Sequence, residues 1–349
     1  ARVLHTQLTV LDPKGPYSFK RLFEISILNK DISDVVTMHF NRYVALKTND
    51  GDAYRDYGDY LYGLKDLDGA LKAYRKALEI NPQLKGFHKR YAEIVIAKGQ
   101  EDEAITACQR VIESKEADAG TYSTLGSIYT KKKMYDKAVD MYQSALQLQP
   151  ADVNLLSDLA DAQLSSGDKK SAAISFEQVV MMNSDAAKEY KILGDIYMGL
   201  SRREEAVNAY RKYNEKIPSD ADVAILLGRD AYDNKKFGDV TKYLGSTGLQ
   251  LESPENLILG DALIAEGKYK DAIRPLENVK FDRKKTDRNL QEKGLKLLAV
   301  AYEKSGRMSD AAAVYGEYLL LPGVNDPDAA YKRACLLETS DTLVALRLF

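Results

Sequence analysis

The chain has 349 residues, of which 45% are hydrophobic and 29% are charged, and its formal net charge is −2. This balance gives no reason to expect nucleic acid as a partner. No apolar run is long enough to cross a membrane, and two cysteines cannot form a disulfide framework. We therefore expect an ordered, soluble protein without direct membrane insertion, and both the cytoplasm and the periplasm stay open as its compartment.

The first 50 residues carry a weak repeat pattern. Residues 1–16 look like the tail of a second helix from a truncated repeat, because a short apolar stretch is followed by Pro13. Residues 17–50 fit a degenerate repeat with Phe23, Val36 and Phe40 in core positions. The pattern becomes regular only from Gly51.

Residues 51–220 contain five regular units of 34 residues. Counting places from the first residue of each unit, a small residue often stands at place eight and an alanine at place twenty. An aromatic residue is common at place twenty-four and proline at place thirty-two. In the first unit these are Gly58, Ala70, Tyr74 and Pro82. A fixed period of this length is typical of a stacked helical array.

Each unit is predicted to form two antiparallel helices joined by a short turn. Places four, seven, eight and eleven have helical spacing and make one apolar stripe on the first helix. The small residue at place eight lets a neighbouring helix approach closely. Glycine at place fifteen, as at Gly99 and Gly167, suits a turn that needs positive φ. Proline at place thirty-two ends the second helix.

Residues 221–325 form three irregular units, which start at Ala221, Ser253 and Glu292. In the first of them Gly245 and Gly248 fall in the second helix, and each costs about 1 kcal/mol relative to alanine. We expect that helix to be short or broken. The extra length before Glu292 lies in a charged connector, residues 280–291, interpreted as a solvated linker or as a docking loop for an acidic patch.

Residues 326–349 are predicted to be a partial repeat. They supply one more first helix, and Ser340 or Asp341 would then cap the start of a second. Both ends of the chain therefore seem to cut through a repeat, which suggests a segment of a longer protein. A signal peptide or a tag removed before Ala1 would explain the N-terminus equally well.

This pattern resembles the tetratricopeptide repeat family over almost the whole chain, as a single array of about nine repeats. The resemblance implies an all-α fold, a right-handed α-solenoid superhelix of antiparallel helix pairs. It also implies that the first helices line a concave groove, read from places two, five, nine, twelve and thirteen. Such grooves usually bind a peptide or a helix of a partner.

The predicted partner-binding residues follow these places and are dominated by acids at place nine. They are Arg55, Asp59, Tyr62, Lys89, Glu93, Asp161, Lys191, Asp195, Arg229, Tyr232 and Asp261. Three bases stand four residues before an acid, and we expect them to pair on one helix face: Arg55 with Asp59, Lys89 with Glu93, and Lys191 with Asp195.

Two interpretations of the acidic row stay open. It could attract a basic or amide-rich segment of a partner, or it could be a solvated face whose charge the neighbouring bases neutralise. The row also argues against one specific activity of the resembled family. The clamp that holds the C-terminal carboxylate of chaperones needs asparagine where this chain has Asp59 and Glu93.

The sequence does not favour catalysis. The three histidines, His5, His39 and His88, are far apart, and no phosphate-binding loop or nucleophile motif is present. We expect no cofactor and no metal. The predicted function is a non-catalytic scaffold for protein–protein interaction. The alternatives are a module that self-associates through its terminal repeats, or the regulatory or targeting region of a larger enzyme.

Overall fold

The computed structural model describes residues 2–31, 33–245, 250–279 and 288–347. All regular structure within these residues is α-helical, so the predicted all-α fold class is confirmed. The helices are α1 (Arg2–Leu11), α2 (Pro16–Leu28), α3 (Ser33–Leu46), α4 (Gly51–Gly63), α5 (Leu67–Ile80), α6 (His88–Ala97), α7 (Glu101–Glu113), α8 (Ala119–Lys131), α9 (Tyr135–Leu148), α10 (Val153–Ser166), α11 (Lys169–Met182), α12 (Ala187–Gly199), α13 (Arg203–Lys216), α14 (Ala221–Asp233), α15 (Phe237–Leu244), α16 (Ser253–Ala265), α17 (Tyr269–Glu277), α18 (Arg288–Ser305), α19 (Met308–Leu319) and α20 (Pro327–Arg347).

The chain divides into two compact units, Ala1–Ser175 and Phe176–Phe349. Within each unit, consecutive helices pack as antiparallel pairs: α4 with α5 and α8 with α9 in the first unit, α12 with α13 and α18 with α19 in the second. Each unit is thus a helical-repeat solenoid. Its core is formed by the faces that successive pairs bury against one another.

The small residue at place eight allows the two helices of a pair to touch. A Cβ atom added at Gly58 would lie 2.6 Å from the ring of Tyr74, and one added at Gly194 would lie 2.4 Å from the ring of Tyr210. Both tyrosine rings are buried. The predicted close approach is therefore confirmed, and the partner of the glycine is the aromatic residue at place twenty-four of the same unit.

The turn at place fifteen needs positive φ in every regular unit. Gly99 and Gly167 adopt it with φ of 68° and 93°, as their identity predicts. Lys65 and Ser201 occupy the same place without glycine and still have φ of 63° and 59°. The geometry of the turn therefore belongs to the repeat, and glycine only makes it easier to adopt.

Helix α15 is the short element that the sequence predicts. It has eight residues and ends at Leu244, with Gly245 as its C-cap. Val240, Tyr243 and Leu244 are nevertheless buried, so the shortened helix still closes the core behind α14. Gly248 lies outside the described residues.

Two expectations about the C-terminal part are wrong. Helix α18 begins at Arg288, so the connector predicted for residues 280–291 is helical in its last four residues; residues 280–287 lie outside the described part. Helix α20 runs through Ser340 and Asp341 without a break. An N-cap needs non-helical backbone angles, and no glycine or proline near these residues interrupts the helix.

Candidate functional site

The acids at place nine bind tyrosines of their own repeat. The Tyr74 hydroxyl donates to Oδ1 of Asp59 at 2.6 Å, and the Tyr210 hydroxyl donates to Oδ1 of Asp195 at the same distance. Burial, together with the adjacent carboxylate, raises the pKa of both tyrosines. Asp59 also accepts from Arg90 at 3.0 Å. These two acids therefore anchor buried hydroxyl groups at the inner edge of the core.

Two further acids of the row link neighbouring first helices. The Tyr62 hydroxyl, on α4, donates to Glu93 of α6 at 2.5 Å. The Tyr232 hydroxyl, on α14, donates to Asp261 of α16. Both contacts join place twelve to place nine of the following unit. They bring four of the predicted site residues together in pairs.

A lysine extends the second of these links. Lys293 Nζ lies 2.6 Å from the Tyr232 hydroxyl and 2.8 Å from Oδ2 of Asp261. Burial lowers the pKa of Lys293, but the hydrogen bonds to Asp261 and Tyr232 outweigh it and the net shift is upward. Tyr232 and Asp261, which the sequence analysis assigned to partner binding, thus hold the ammonium group of Lys293.

The predicted pairs between place five and place nine do not form, and this expectation is wrong. Lys89 contacts Asp118 at 2.5 Å and Lys191 contacts Asp220 at 2.6 Å. With the base before the acid, this spacing gives the weaker of the two pair orders. Each lysine instead reaches the residue that caps the next first helix.

Arg55 also pairs with acids other than the predicted one, and these acids belong to its own helix α4. Its guanidinium group contacts Asp52 at 2.6 Å and Asp56 at 2.7 Å, and not Asp59 as the sequence analysis expected. All three predicted bases are therefore engaged with other acids. Four acids at place nine, Asp59, Glu93, Asp195 and Asp261, each accept a hydrogen bond from a tyrosine hydroxyl instead.

Asp118 and Asp220 belong to a set of capping aspartates that bind lysine. At the start of α4, Asp50 accepts from Lys20 at 2.9 Å, from Tyr43 and from the backbone amide of Ala53 at 3.1 Å. Tyr213 with Lys191, and Tyr318 with Lys296, repeat this arrangement at Asp220 and Asp326. Each such set ties three consecutive elements of one compact unit.

These hydrogen bonds change the acidity of the capping residues. Burial raises the pKa of Asp50, but hydrogen bonds from Lys20, Tyr43 and Ala53 outweigh it and lower that pKa to about 2. The hydrogen bond from Lys89 and those from Thr121 lower the pKa of Asp118 to about 2 as well. The capping acids are thus held as carboxylates.

Asp161 stands apart from the other predicted acids because it lies in an acidic group. It is exposed on α10. Burial raises the pKa of Asp158, and the charges of Asp161 and Asp152 raise it further. The structure therefore places Asp161 close enough to Asp158 for the two like charges to act on each other.

The exposed face of α14 borders a cleft of about 760 Å³, which we call the α14 cleft. Its apolar lining is Met198 of α12, Val207 of α13, and Ala221, Ile225 and Leu226 of α14. Its polar lining is Arg203, Asp222, Arg229, Asp230, Asp233, Gln250, Glu252 and Glu255. Asp222, Ile225, Arg229 and Asp233 occupy places two, five, nine and thirteen, so the cleft lies on the face that the sequence analysis assigned to partner binding.

Two arginines in the cleft cover buried carboxylates. Arg229 donates through Nε to Glu255 at 2.9 Å; Glu255 is 2% exposed, whereas the Arg229 side chain is 57% exposed. Arg203 donates to Asp230 at 3.2 Å and to Asp233 at 3.0 Å. Asp230 is buried too. A buried carboxylate needs such a partner, because leaving it unpaired would be costly.

After these pairs are formed, the cleft keeps an excess of negative charge. Asp222 and Glu252 are exposed at its rim. Neither carboxylate group has a hydrogen-bond or ion-pair partner within residues 2–31, 33–245, 250–279 or 288–347, although the backbone carbonyl of Glu252 accepts from the side chain of Asn256 at 3.1 Å. The cleft therefore combines an apolar floor, two internally paired arginines and two available carboxylates.

Sequence reasoning missed Asp230 and Glu255. Place ten holds isoleucine in α6, α8 and α12, at Ile94, Ile128 and Ile196, and all three are buried. Asp230 stands at this otherwise apolar place, and that substitution is the sequence signal from which its buried ion pair could have been predicted. The sequence analysis assigned Arg229 to partner binding, but in the structure its guanidinium group forms an ion pair with the buried Glu255.

Neither a metal centre nor a membrane span emerges from the described residues. No three His, Cys, Asp or Glu side chains in this part of the chain are grouped so that they could hold a metal ion. None of its helices has the length and apolar character needed to cross a membrane. His88 is buried at the start of α6, and burial followed by the charge of Arg110 lowers its pKa.

Family models settle the identity of the repeat. Two models described as tetratricopeptide repeat match residues 61–125 and 119–152. Residues 61–152 of the chain are tetratricopeptide repeats. The predicted resemblance is confirmed, while the number of repeats stays a prediction. No curated protein sequence matches the chain.

Solved structures similar to this chain have low sequence identity to it. YrrB, titled a TPR protein with an unusual peptide-binding site, is 19% identical; the alignment covers 52% of this chain and 93% of YrrB, with a TM-score of 0.42. A tetratricopeptide repeat protein from Parabacteroides merdae ATCC 43184 is 13% identical over 72% of this chain and 97% of its own, with a TM-score of 0.37. The Naa15/Naa10 structure bound to HypK-THB is 13% identical over 97% of this chain and 58% of that chain, with a TM-score of 0.46.

The tetratricopeptide repeats in residues 61–152 support a protein-interaction repeat scaffold. The first helices of its repeats include α4, α6, α14 and α16. Their exposed faces differ in how much of their charge is already bound within the protein.

Proposed function

We propose that this tetratricopeptide repeat protein is a non-catalytic scaffold that binds a peptide or helical segment of a partner protein on the face of its first helices. The observation that carries the proposal is the α14 cleft. Its volume of about 760 Å³ lies within the range of about 300–1,000 Å³ typical of binding clefts. Its lining offers apolar surface beside polar groups, as binding sites commonly do.

The contacts of the charged groups support a binding role over a catalytic one. Arg203, Arg229, Asp230 and Glu255 are engaged with one another in ion pairs. Such groups hold the shape of the cleft. The sequence adds no nucleophile motif and no phosphate-binding loop.

The first part of the test is partner capture. The intact chain would be used as bait in an extract of its source cell, and captured proteins would be identified by mass spectrometry. The informative variant is Met198→Ser with Ile225→Ser, because serine is the natural residue at place five of α8 and α10. We expect capture of a specific partner to fall about tenfold, the effect of losing one or two anchoring contacts.

The matched control is Met134→Ser with Met308→Ser. Both methionines are 37% exposed and lie outside the α14 cleft. This variant should capture the partner as the wild type does. If the wild type captures no specific partner, the scaffold proposal fails. Equal losses in the two variants would place binding away from the first-helix face.

A further inference from the structure

We infer that the α14 cleft selects a basic segment that carries a large apolar side chain beside a lysine or arginine. This inference rests on the proposed function and names the class of partner for that site. It is carried by the difference at place five between α14 and the helices α4, α6 and α12, and by the carboxylates of the cleft that have no internal partner.

The apolar anchor follows from the side chain at place five. That place holds a base in α4, α6 and α12, at Arg55, Lys89 and Lys191, and each of these bases reaches a neighbouring acid. In α14 it holds Ile225, which is half-buried in the cleft beside Leu226 and Met198. An exposed apolar floor of this kind gains free energy when it covers an apolar side chain of a ligand.

The charge preference follows from which groups are already paired. Arg203 and Arg229 are both bound to buried carboxylates, so a partner's acid would have to compete with Asp230 or Glu255. Removing Arg229 from Glu255 would leave an uncompensated buried charge, and removing Arg203 from Asp230 would leave that carboxylate only Arg211, at 4.0 Å. An acidic ligand is therefore disfavoured.

The available groups are the carboxylates at the rim. Asp222 stands in the first turn of α14 and Glu252 is the N-cap residue of α16, where it makes no capping hydrogen bond with its side chain. Both are exposed and line the same cleft. A cation at this rim would gain from both charges.

The experiment is peptide display on the intact chain with a random library. We expect the selected peptides to be enriched in lysine or arginine close to leucine, isoleucine, methionine or phenylalanine. We measure the affinity of the selected peptides by fluorescence anisotropy. Their affinity for the Asp222→Lys with Glu252→Lys variant should be lower than for the wild type by about tenfold or more. Their affinity for the wild type should also fall between about 0.1 M and 1 M salt, over which the screening length drops from about 10 Å to about 3 Å.

The control is Asp328→Lys with Glu317→Lys. Asp328 stands in the first turn of α20 as Asp222 does in α14, and Glu317 is an exposed acid of α19, so the change in net charge is the same. Circular dichroism would check that both double variants keep the helical content of the wild type. The milder Asp222→Asn with Glu252→Gln, which adds no positive charge, should weaken binding less than the reversal does.

The outcomes separate the inference from the proposed function. Selected peptides that are neutral or acidic, or that bind Asp222→Lys with Glu252→Lys as tightly as the wild type, would overturn the inference and leave the scaffold function standing. If no peptide is enriched and no partner is captured, both fail. Loss of binding in the cleft variant alone, with salt sensitivity, supports the inference.

Discussion

Helices α4 and α14 occupy the same position in their repeats, yet their exposed faces have different chemistry. On α4, Arg55 binds Asp52 and Asp56, Asp59 binds Tyr74 and Arg90, and Tyr62 binds Glu93. Nearly every polar group on that face has a partner within the first compact unit. The regular face is therefore saturated by internal contacts.

The α14 face uses its charges differently. Asp230 enters a place that is apolar in α6, α8 and α12, and Arg203 and Arg229 are drawn into pairs with buried carboxylates. Asp222 and Glu252 are left at the rim of a cleft with an apolar floor. The comparison teaches that a departure from the repeat matters when it changes which charges are satisfied internally, and four substitutions test this from the largest expected effect to the smallest.

The largest change in the free energy of unfolding should come from placing aspartate, the residue at place ten of α14, at the same place of a regular repeat. Ile94 of α6 is 1% exposed, so Ile94→Asp would bury a carboxylate, and Leu67 stands at the place that Arg203 occupies beside Asp230. We expect the free energy of unfolding to fall by about 4 kcal/mol or more. Urea denaturation followed by circular dichroism measures this. A loss below about 1 kcal/mol would show that place ten tolerates a charge without the surroundings of α14.

A capping aspartate provides the second test, through pH. The pKa of Asp50 is about 2 in the folded protein and about 3.9 when unfolded, so its carboxylate stabilises the fold above pH 4 and loses this effect as the pH falls towards 2. Asp50→Asn keeps a capping side chain but removes the charge. We expect the variant to be less stable by about 2 kcal/mol at pH 7.

The pH series supplies the control for Asp50→Asn. The difference in unfolding free energy between the wild type and the variant should narrow between pH 4 and pH 2. A difference that stays constant over that interval would mean that the charge of Asp50 contributes nothing beyond its capping hydrogen bond.

Replacing the buried aspartate of α14 by isoleucine, the reverse of Ile94→Asp, should raise the free energy of unfolding by a smaller amount. Asp230→Ile restores the residue found in α6, α8 and α12, and Arg203 keeps Asp233 as a partner. Replacing a buried ionic group by an apolar one of suitable size is often neutral or stabilising, so we expect a gain of about 1 to 2 kcal/mol. Thermal unfolding would detect it. A clear loss of stability would show that the ion pair holds α14 in place.

The smallest effect is expected for an acid of the regular row. Asp59→Asn removes the charge but leaves an amide that can still accept from Tyr74, so stability should fall by about 1 kcal/mol. Binding of the basic peptides should not change, since Asp59 lies in the first compact unit and already has two partners. A tenfold loss of affinity would instead assign binding to the acidic row.

The fold could be predicted from sequence because the residues that pack each helix pair recur at fixed places of the repeat. Gly58, Tyr74 and the turn at Gly99 recur at fixed places, and each recurrence is an independent sign of the same helix pair. The length of α15 followed from Gly245 for the same local reason. The uninterrupted α20 did not follow, because a capping residue alone does not end a helix that lacks a breaker.

The candidate site could be predicted only in part. The sequence located the face of the first helices and singled out Arg229 and Tyr232, but it paired Lys89 and Lys191 with the wrong acids. The true partners, Asp118 and Asp220, cap the next repeat and lie beyond the helix on which the lysine stands. Pairing across repeats depends on which residues neighbouring first helices bring together, and place numbers within one helix do not express this.

The most direct test of the central claim is photocrosslinking from place five of two first helices. A photoreactive phenylalanine analogue would replace Ile225 in α14 or, as the matched control, Ser123 in α8, and each protein would be irradiated with a display-selected basic peptide. We expect crosslinked product from position 225 and little from position 123. Equal yields, or a higher yield from position 123, would contradict the assignment of binding to the α14 cleft.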